Sequence, residues 1–154
     1  MSGRDWPDLA GRIEDKTHIL PVRVYYEDTD FSGIVYHANY LRFAERGRSD
    51  FLRLAGVNHT EFFQGDDPLA FAIHRMEIDF VRPARIDDRL EVHTRYSRAG
   101  GVRLEAVQAI FRVNEAGADE EIWRALVFAA CLDAKGRPRR LPEKARTALA
   151  PFIG

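Results

Sequence analysis

The sequence predicts an α+β domain, an antiparallel five-stranded sheet wrapped around one long helix. Three observations carry this. One stretch of helical period, residues 37–55, stands between a first strand pattern and four later ones. The later segments alternate with period two and are divided by turn residues. Two of them are apolar on both faces in part, so the sheet needs cover on both sides. A chain of 154 residues accommodates this as one domain with one core.

Each element has its own signal. Residues 1–18 alternate charges with Gly and Pro and read as a leader. The domain is expected at 19–142 and a C-terminal tail at 143–154. The first strand fits residues 20–27, with Val22, Val24 and Tyr26 on one side and Arg23, Tyr25 and Glu27 on the other. The turn-rich run 28–33 ends it. In the helix, Tyr40, Ala44, Gly47 and Phe51 recur at helical spacing, joined by Leu41, Leu52 and Ala55. Gly47 costs about 1 kcal/mol there relative to Ala, which close approach to a sheet would explain. Gly56 is the expected stop.

Residues 70–81 alternate, with Ala72, His74, Met76, Ile78 and Phe80 opposed to Phe71, Ile73, Arg75, Glu77 and Asp79. Strands at 89–97, 102–113 and 122–132 follow, and Ala99-Gly100-Gly101 marks a hairpin. One helix covers one face only, so a second copy of the chain is expected against the other. A single helix swaddled by its own sheet is the hotdog architecture.

The chemistry concentrates between first strand and helix. Glu27, Asp28 and Asp30 lie at the strand end, with Gly33 in the turn, where a glycine lets backbone approach a ligand. The helix start offers unpaired N–H groups and the positive end of the dipole, fit for a developing oxyanion. A carboxylate beside it suits a nucleophile or general base in acyl transfer.

The run Tyr26-Glu27-Asp28-Thr29-Asp30, then Gly33, Val35-Tyr36-His37 and Tyr40, resembles the signature of the 4-hydroxybenzoyl-CoA thioesterase family. Tyr36-His37-Ala38-Asn39-Tyr40, followed by Phe43, Glu45-Arg46 and Arg48, is most similar to its Tol–Pal-associated acyl-CoA thioesterases, the YbgC type. The likeness spans about residues 20–140. It implies a hotdog fold and hydrolysis of acyl-CoA to the acid and free CoA, with no cofactor, in lipid metabolism. Asp30 matches the catalytic aspartate, and His37 the histidine whose backbone N–H polarises the thioester carbonyl. Tyr26 matches a tyrosine associated with the site. Gly33 and Tyr36 complete the expected turn and oxyanion backbone. The sequence departs from the branch at Phe31-Ser32, where small residues usually precede the glycine, and at Gly47, where alanine is usual.

Plainer readings stand beside these. Asp30 alone would be a turn or cap residue, Glu27 and Asp28 a solvated or hydrogen-bonding pair, and Tyr26 packing. Asp28, Asp30, Ser32 and Gly33 fall on an EF-hand spacing, but Asn39 takes the place of the bidentate carboxylate and a strand precedes the loop, so no metal is expected. Ser32 sits in no nucleophile elbow, and Cys131 reads as core. Arg137, Arg139 and Arg140 are candidates for the phosphates of coenzyme A, against a solvated tail. A non-catalytic acyl-CoA or acyl-carrier-protein binding module is the alternative function. A hotdog dehydratase using His37 and Glu45 is a third.

A net charge of -1, with 45% apolar residues, makes no case for nucleic acid. One cysteine excludes an internal disulfide, and no stretch reaches the ~20 apolar residues that span a bilayer. A cytoplasmic homo-oligomer, dimer or tetramer, is the expectation.

Overall fold

The computed structural model describes residues 9–154, without the side chains of His59 and Phe63. Six strands form one antiparallel sheet: β1 (Arg12–Glu14), β2 (Thr17–Arg23), β3 (Leu69–Phe80), β4 (Arg89–Gly100), β5 (Arg103–Arg112) and β6 (Glu120–Asp133). Their order across the sheet is β1-β2-β4-β5-β6-β3. The long helix α1 (His37–Ala55) lies in its concave face, and two short helices, α2 (His59–Gln64) and α3 (Glu143–Leu149), flank it. This is the hotdog arrangement expected, with one strand more.

The sixth strand comes from the stretch read as leader. Arg12–Glu14 pairs with β2, and His18, fully buried, accepts the chain back through a 2.7 Å hydrogen bond from its Nε2 to the Ala10 carbonyl. Residues 1–8 lie outside the described ones. The segment read as a tail also joins the core, since α3 buries Ala145 and Leu149 there. Charge-rich composition hid both, because each needs only a few apolar side chains to dock.

Helix α1 begins and ends where its period predicts. Gly56 closes it at φ +93°, a conformation that favours glycine, and its N–H returns to the last turn. Gly47 has the close approach expected of it: a Cβ there would stand 2.9 Å from both Thr94 Oγ1 and Val92 Cγ1 on β4. Around it Phe51 meets Tyr96 edge-on at 4.8 Å, and Tyr40 stacks on Trp123 at 6.4 Å. Cys131 is buried core.

Two expectations about strands are corrected. The first strand stops at Arg23 rather than residue 27, because Asp28 draws residues 26–28 into a 3-10 turn. In β3, a bulge between Ile73 and Arg75 breaks the alternation. Phe71 and Ile73 pair with Cys131 and Ala129, while Met76, Ile78 and Phe80 pair with Val127, Ala125 and Trp123. All five thus face α1, where unbroken alternation set the first two on the opposite side.

Candidate active site

The site is built on one buried carboxylate. Asp28 is 7% exposed, and its Oδ2 accepts the Tyr25 N–H at 2.8 Å. Its Oδ1 accepts the Asn39 side-chain amide at 3.0 Å, in the first turn of α1. Its carbonyl accepts the Tyr36 N–H at 2.8 Å. A single side chain and its backbone therefore clasp the loop to the helix start. Val35, donating to the Ala84 carbonyl at 2.8 Å, anchors the same loop to the segment before β4. Asp28 is a structural clasp, bonded to Tyr25 and Asn39 and buried, where its plainer reading had it in a solvated or hydrogen-bonding pair with Glu27.

Asp30 stands on this frame, exposed. Its N–H donates to the Ile34 carbonyl at 2.8 Å, and its carbonyl accepts the Gly33 N–H at 3.1 Å. Gly33 closes that turn at φ +86°, with open space where a Cβ would stand. The Asp30 Oδ1 accepts both the Ser32 N–H at 2.8 Å and the Ser32 hydroxyl at 2.5 Å. The Ser32 hydroxyl holds the Asp30 carboxyl below its ordinary range. Partial desolvation opposes this, while the Ser32 and Ile34 backbone and the neighbouring His37 add to it. An ionised carboxylate at neutral pH is what a nucleophile or base requires.

His37 opens α1, and its exposed ring meets Phe80 edge-on at 6.5 Å. Of the three backbone N–H groups expected to face an oxyanion, two are already spent. The Gly33 N–H closes the Asp30 turn and the Tyr36 N–H holds Asp28. Their loop consumes them in fixing its own shape. Among the described residues the His37 N–H has no acceptor, as the first position of a helix allows. Tyr26 is 85% exposed and lines an open groove of about 420 Å³ with Tyr25, Glu27, Ile86 and Asp87. Its hydroxyl makes no hydrogen bond among the described residues, so nothing joins it to Asp30.

The three arginines lie elsewhere. The segment carrying them is tied to the β4–β5 hairpin, where the Leu141 N–H meets the Gly101 carbonyl at 2.8 Å. The Asp30 loop is tied to the other end of β4, through the bridge of Ile34 with Arg85. Twelve strand residues separate the two ends, about 35 Å. Within one protomer, then, Arg137, Arg139 and Arg140 do not approach Asp30. Arg139 is also paired with Asp67 and Asp133, whereas no ion pair engages Arg137 or Arg140 among the described residues.

Sequence reasoning missed Ser32 as a partner of Asp30 and Asn39 as a partner of Asp28. Both are short polar residues of ordinary loop type, and only the folded turn reveals their aim.

Residues 24–149 match the model of the thioesterase-like superfamily. The acyl-CoA thioester hydrolase YbgC of Escherichia coli O6:H1 is 39% identical over 127 residues, which is 80% of this chain and 88% of that one. A probable thioesterase from Bartonella henselae superposes with a TM-score of 0.74 at 45% identity, over 82% of this chain and 99% of that one. A 4-hydroxybenzoyl-CoA thioesterase shares the fold, with a TM-score of 0.78 at 17% identity over 86% and 98% of the two chains. With the fold, the loop and these likenesses in agreement, the chain belongs to the thioesterase-like superfamily.

Proposed function

We propose that the protein hydrolyses acyl-CoA thioesters to the carboxylic acid and free CoA, and that Asp30 carries the reaction. The observation that supports this most is an ionised, exposed carboxylate held by Ser32 beside the unpaired N–H of His37. The thioester carbonyl oxygen takes the His37 N–H, which stabilises the charge that develops on it. Asp30 then attacks the carbonyl carbon, expelling CoA thiolate and leaving an anhydride that water opens. Alternatively it removes a proton from the water that attacks. Tyr26, on its open groove with Tyr25 and Glu27, is left a part in holding substrate and none in bond breaking.

The active unit in this reading is a homo-oligomer. Among the described residues strand β3 ends the sheet, and an edge strand can take a further strand beside it. Antiparallel pairing of β3 with its copy sets the Phe80 end of one strand beside the Leu69 end of the other. Leu69 pairs with Asp133, next to the arginine segment. Such a dimer brings Arg137 and Arg140 of one copy toward Asp30 of the other, where they meet CoA phosphates. Val107 and Leu126, paired on the convex face and 44% and 41% exposed, offer a second apolar contact. A cytoplasmic setting in lipid metabolism belongs to the same proposal, and the likeness of the loop to Tol–Pal-associated relatives is what supports it.

Thiol release from acyl-CoA, followed with a thiol reagent, tests the proposal. Turnover releasing one thiol and one acid per thioester is expected. Tight binding of acyl-CoA or acyl carrier protein without thiol release would overturn it in favour of a binding module.

A further inference from the structure

Asp30 does not present its two carboxylate oxygens equally. Oδ1 accepts the Ser32 N–H at 2.8 Å and the Ser32 hydroxyl at 2.5 Å, whereas Oδ2 accepts no hydrogen bond among the described residues. The backbone holds this asymmetry in place. Asp30 N–H to the Ile34 carbonyl and Gly33 N–H to the Asp30 carbonyl close the turn on either side of Ser32. The N–H contact is the ordinary one between an aspartate and the residue two positions on. The hydroxyl is an addition to it, at the short distance of a charge-assisted bond.

This bears on the nucleophilic route. Oδ2, with its lone pairs unshared, forms the bond to the thioester carbon, and the C–S bond breaks with its electron pair leaving on the CoA sulfur. Oδ1 then becomes the carbonyl oxygen of the Asp30 half of the anhydride, still facing both Ser32 donors. The acyl half has its own carbonyl oxygen. Of the three N–H groups expected to face that oxygen, only that of His37 is free. Water thus meets two carbonyl carbons, Asp30 Cγ with two donors on its oxygen and the acyl carbon with one. Charge decides between them. Oδ1 is nearly neutral in the anhydride and fully negative once water has added to Cγ, so its hydrogen bonds strengthen on the way to that transition state. One such donor is worth about 10²–10³-fold in rate in a closed site, and about tenfold is enough to direct the water here.

We propose that Ser32 directs water to the Asp30 side of the anhydride, so that solvent oxygen enters Asp30 and Oδ2 leaves with the product acid. The proposal rests on the hydrolase reading above, in its nucleophilic form. Water adds its oxygen to Cγ and loses one proton to solvent, while the carbonyl electron pair moves onto Oδ1. As the double bond re-forms, Cγ–Oδ2 breaks, and Oδ2 departs with its electron pair as a carboxylate oxygen of the product. The Asp30 carboxyl then gives its remaining proton to solvent, and CoA thiolate takes one up. Ser32 keeps its own proton throughout and acts as a donor of hydrogen bonds. Its influence falls after thiolate departure, a step that the plateau of kcat/KM does not report.

The test is a single turnover in water enriched in heavy oxygen, with the full-length protein in excess. The substrate is hexanoyl-, benzoyl- or palmitoyl-CoA, whichever releases thiol fastest, and mass spectrometry reads both the acid and the peptide containing Asp30. In the wild-type protein the label is expected on Asp30, by about tenfold or more over the acid. Ser32→Ala keeps the N–H but not the hydroxyl, which leaves one donor on each carbonyl, so the label should divide between Asp30 and the acid. Ser32→Thr, which keeps a hydroxyl, should restore the wild-type pattern. Label confined to the acid in the wild-type protein, with thiol released, would overturn the proposal and leave the hydrolase standing. An unchanged distribution in Ser32→Ala would overturn it too, since a residue that only shapes the loop does not redirect water. Absence of thiol release from all three substrates would overturn the hydrolase reading and this proposal together.

Discussion

The two flanks of α1 solve opposite problems. On the flank facing β2 and β4, Gly47 brings backbone against Val92 and Thr94, and Phe51 packs against the rings of His18 and Tyr96. On the flank facing β3, His37 meets the Phe80 ring edge-on, and a cavity of about 160 Å³ stands between Arg48, Leu52, Phe71 and Ile73. The packed flank fixes the height of the helix over the sheet. The open flank then has a width that no ligand needs to create. Close packing on one side is what makes a preformed site on the other affordable in a domain with a single core.

That contrast can be broken from either flank. The largest effect is expected at the clasp holding the open end. Asn39→Ala leaves one oxygen of buried Asp28 without its amide donor, at a cost of about 1.5–3 kcal/mol. A lower melting temperature is expected together with a fall in kcat, because the His37 N–H moves with the helix start. An unchanged kcat would mean that the clasp does not position the site.

On the packed flank, Gly47→Ala gains helix propensity but forces a Cβ into Thr94 and Val92. Overpacking of this kind costs about 1–3 kcal/mol. Denaturant melts should show net destabilisation with kcat per folded molecule nearly intact. Stabilisation instead would mean that the helix rises freely, and that the two flanks are not coupled in this way.

The packed flank also carries an acid sensitivity. Burial lowers the His18 pKa, against the opposing pull of the Ala10 carbonyl and the Asp50 charge. Its Nδ1 has no partner among the described residues, and burial favours the neutral ring in the folded protein. Below the ordinary pKa of 6.5 the unfolded chain binds a proton that the folded one resists. Stability from this group is therefore full above that pH and falls as pH drops through the folded value. Melting temperature should decline from pH 7.5 to 5.5, and His18→Gln should flatten the decline.

The smallest effect is expected at the open end, where Ser32→Ala removes the main cause of the lowered Asp30 pKa. The acid limb of kcat/KM should move to higher pH, with the plateau little changed. A limb that stays in place would mean that another group governs it.

How much of this was legible in the chain follows the range of the forces involved. Helix α1 was readable to its last residue, since periodicity and Gly56 act locally. Gly47 was readable too, because a glycine inside a helix demands an explanation from packing. The β3 bulge was not, and it reversed the faces of Phe71 and Ile73; alternation carries no mark of one extra residue. At the loop, Asp30, Gly33 and His37 were legible as a pattern of residue types. Which N–H groups remained free was not, for Tyr36 gives its own to Asp28 only once the turn has closed. Arg137 and Arg140 were plausible by charge alone, while their place at the opposite end of β4 from the Asp30 loop, a strand about 35 Å long, depends on strand lengths.

The most direct measurement is single-turnover hydrolysis of an acyl-CoA by Asp30→Asn beside the wild-type protein, with acyl-CoA affinity determined for both. Loss of a reacting carboxylate predicts a fall in rate of at least about 10³-fold, with affinity held within a few-fold. Wild-type turnover by Asp30→Asn would contradict it, and the helix start would then have to act without that charge.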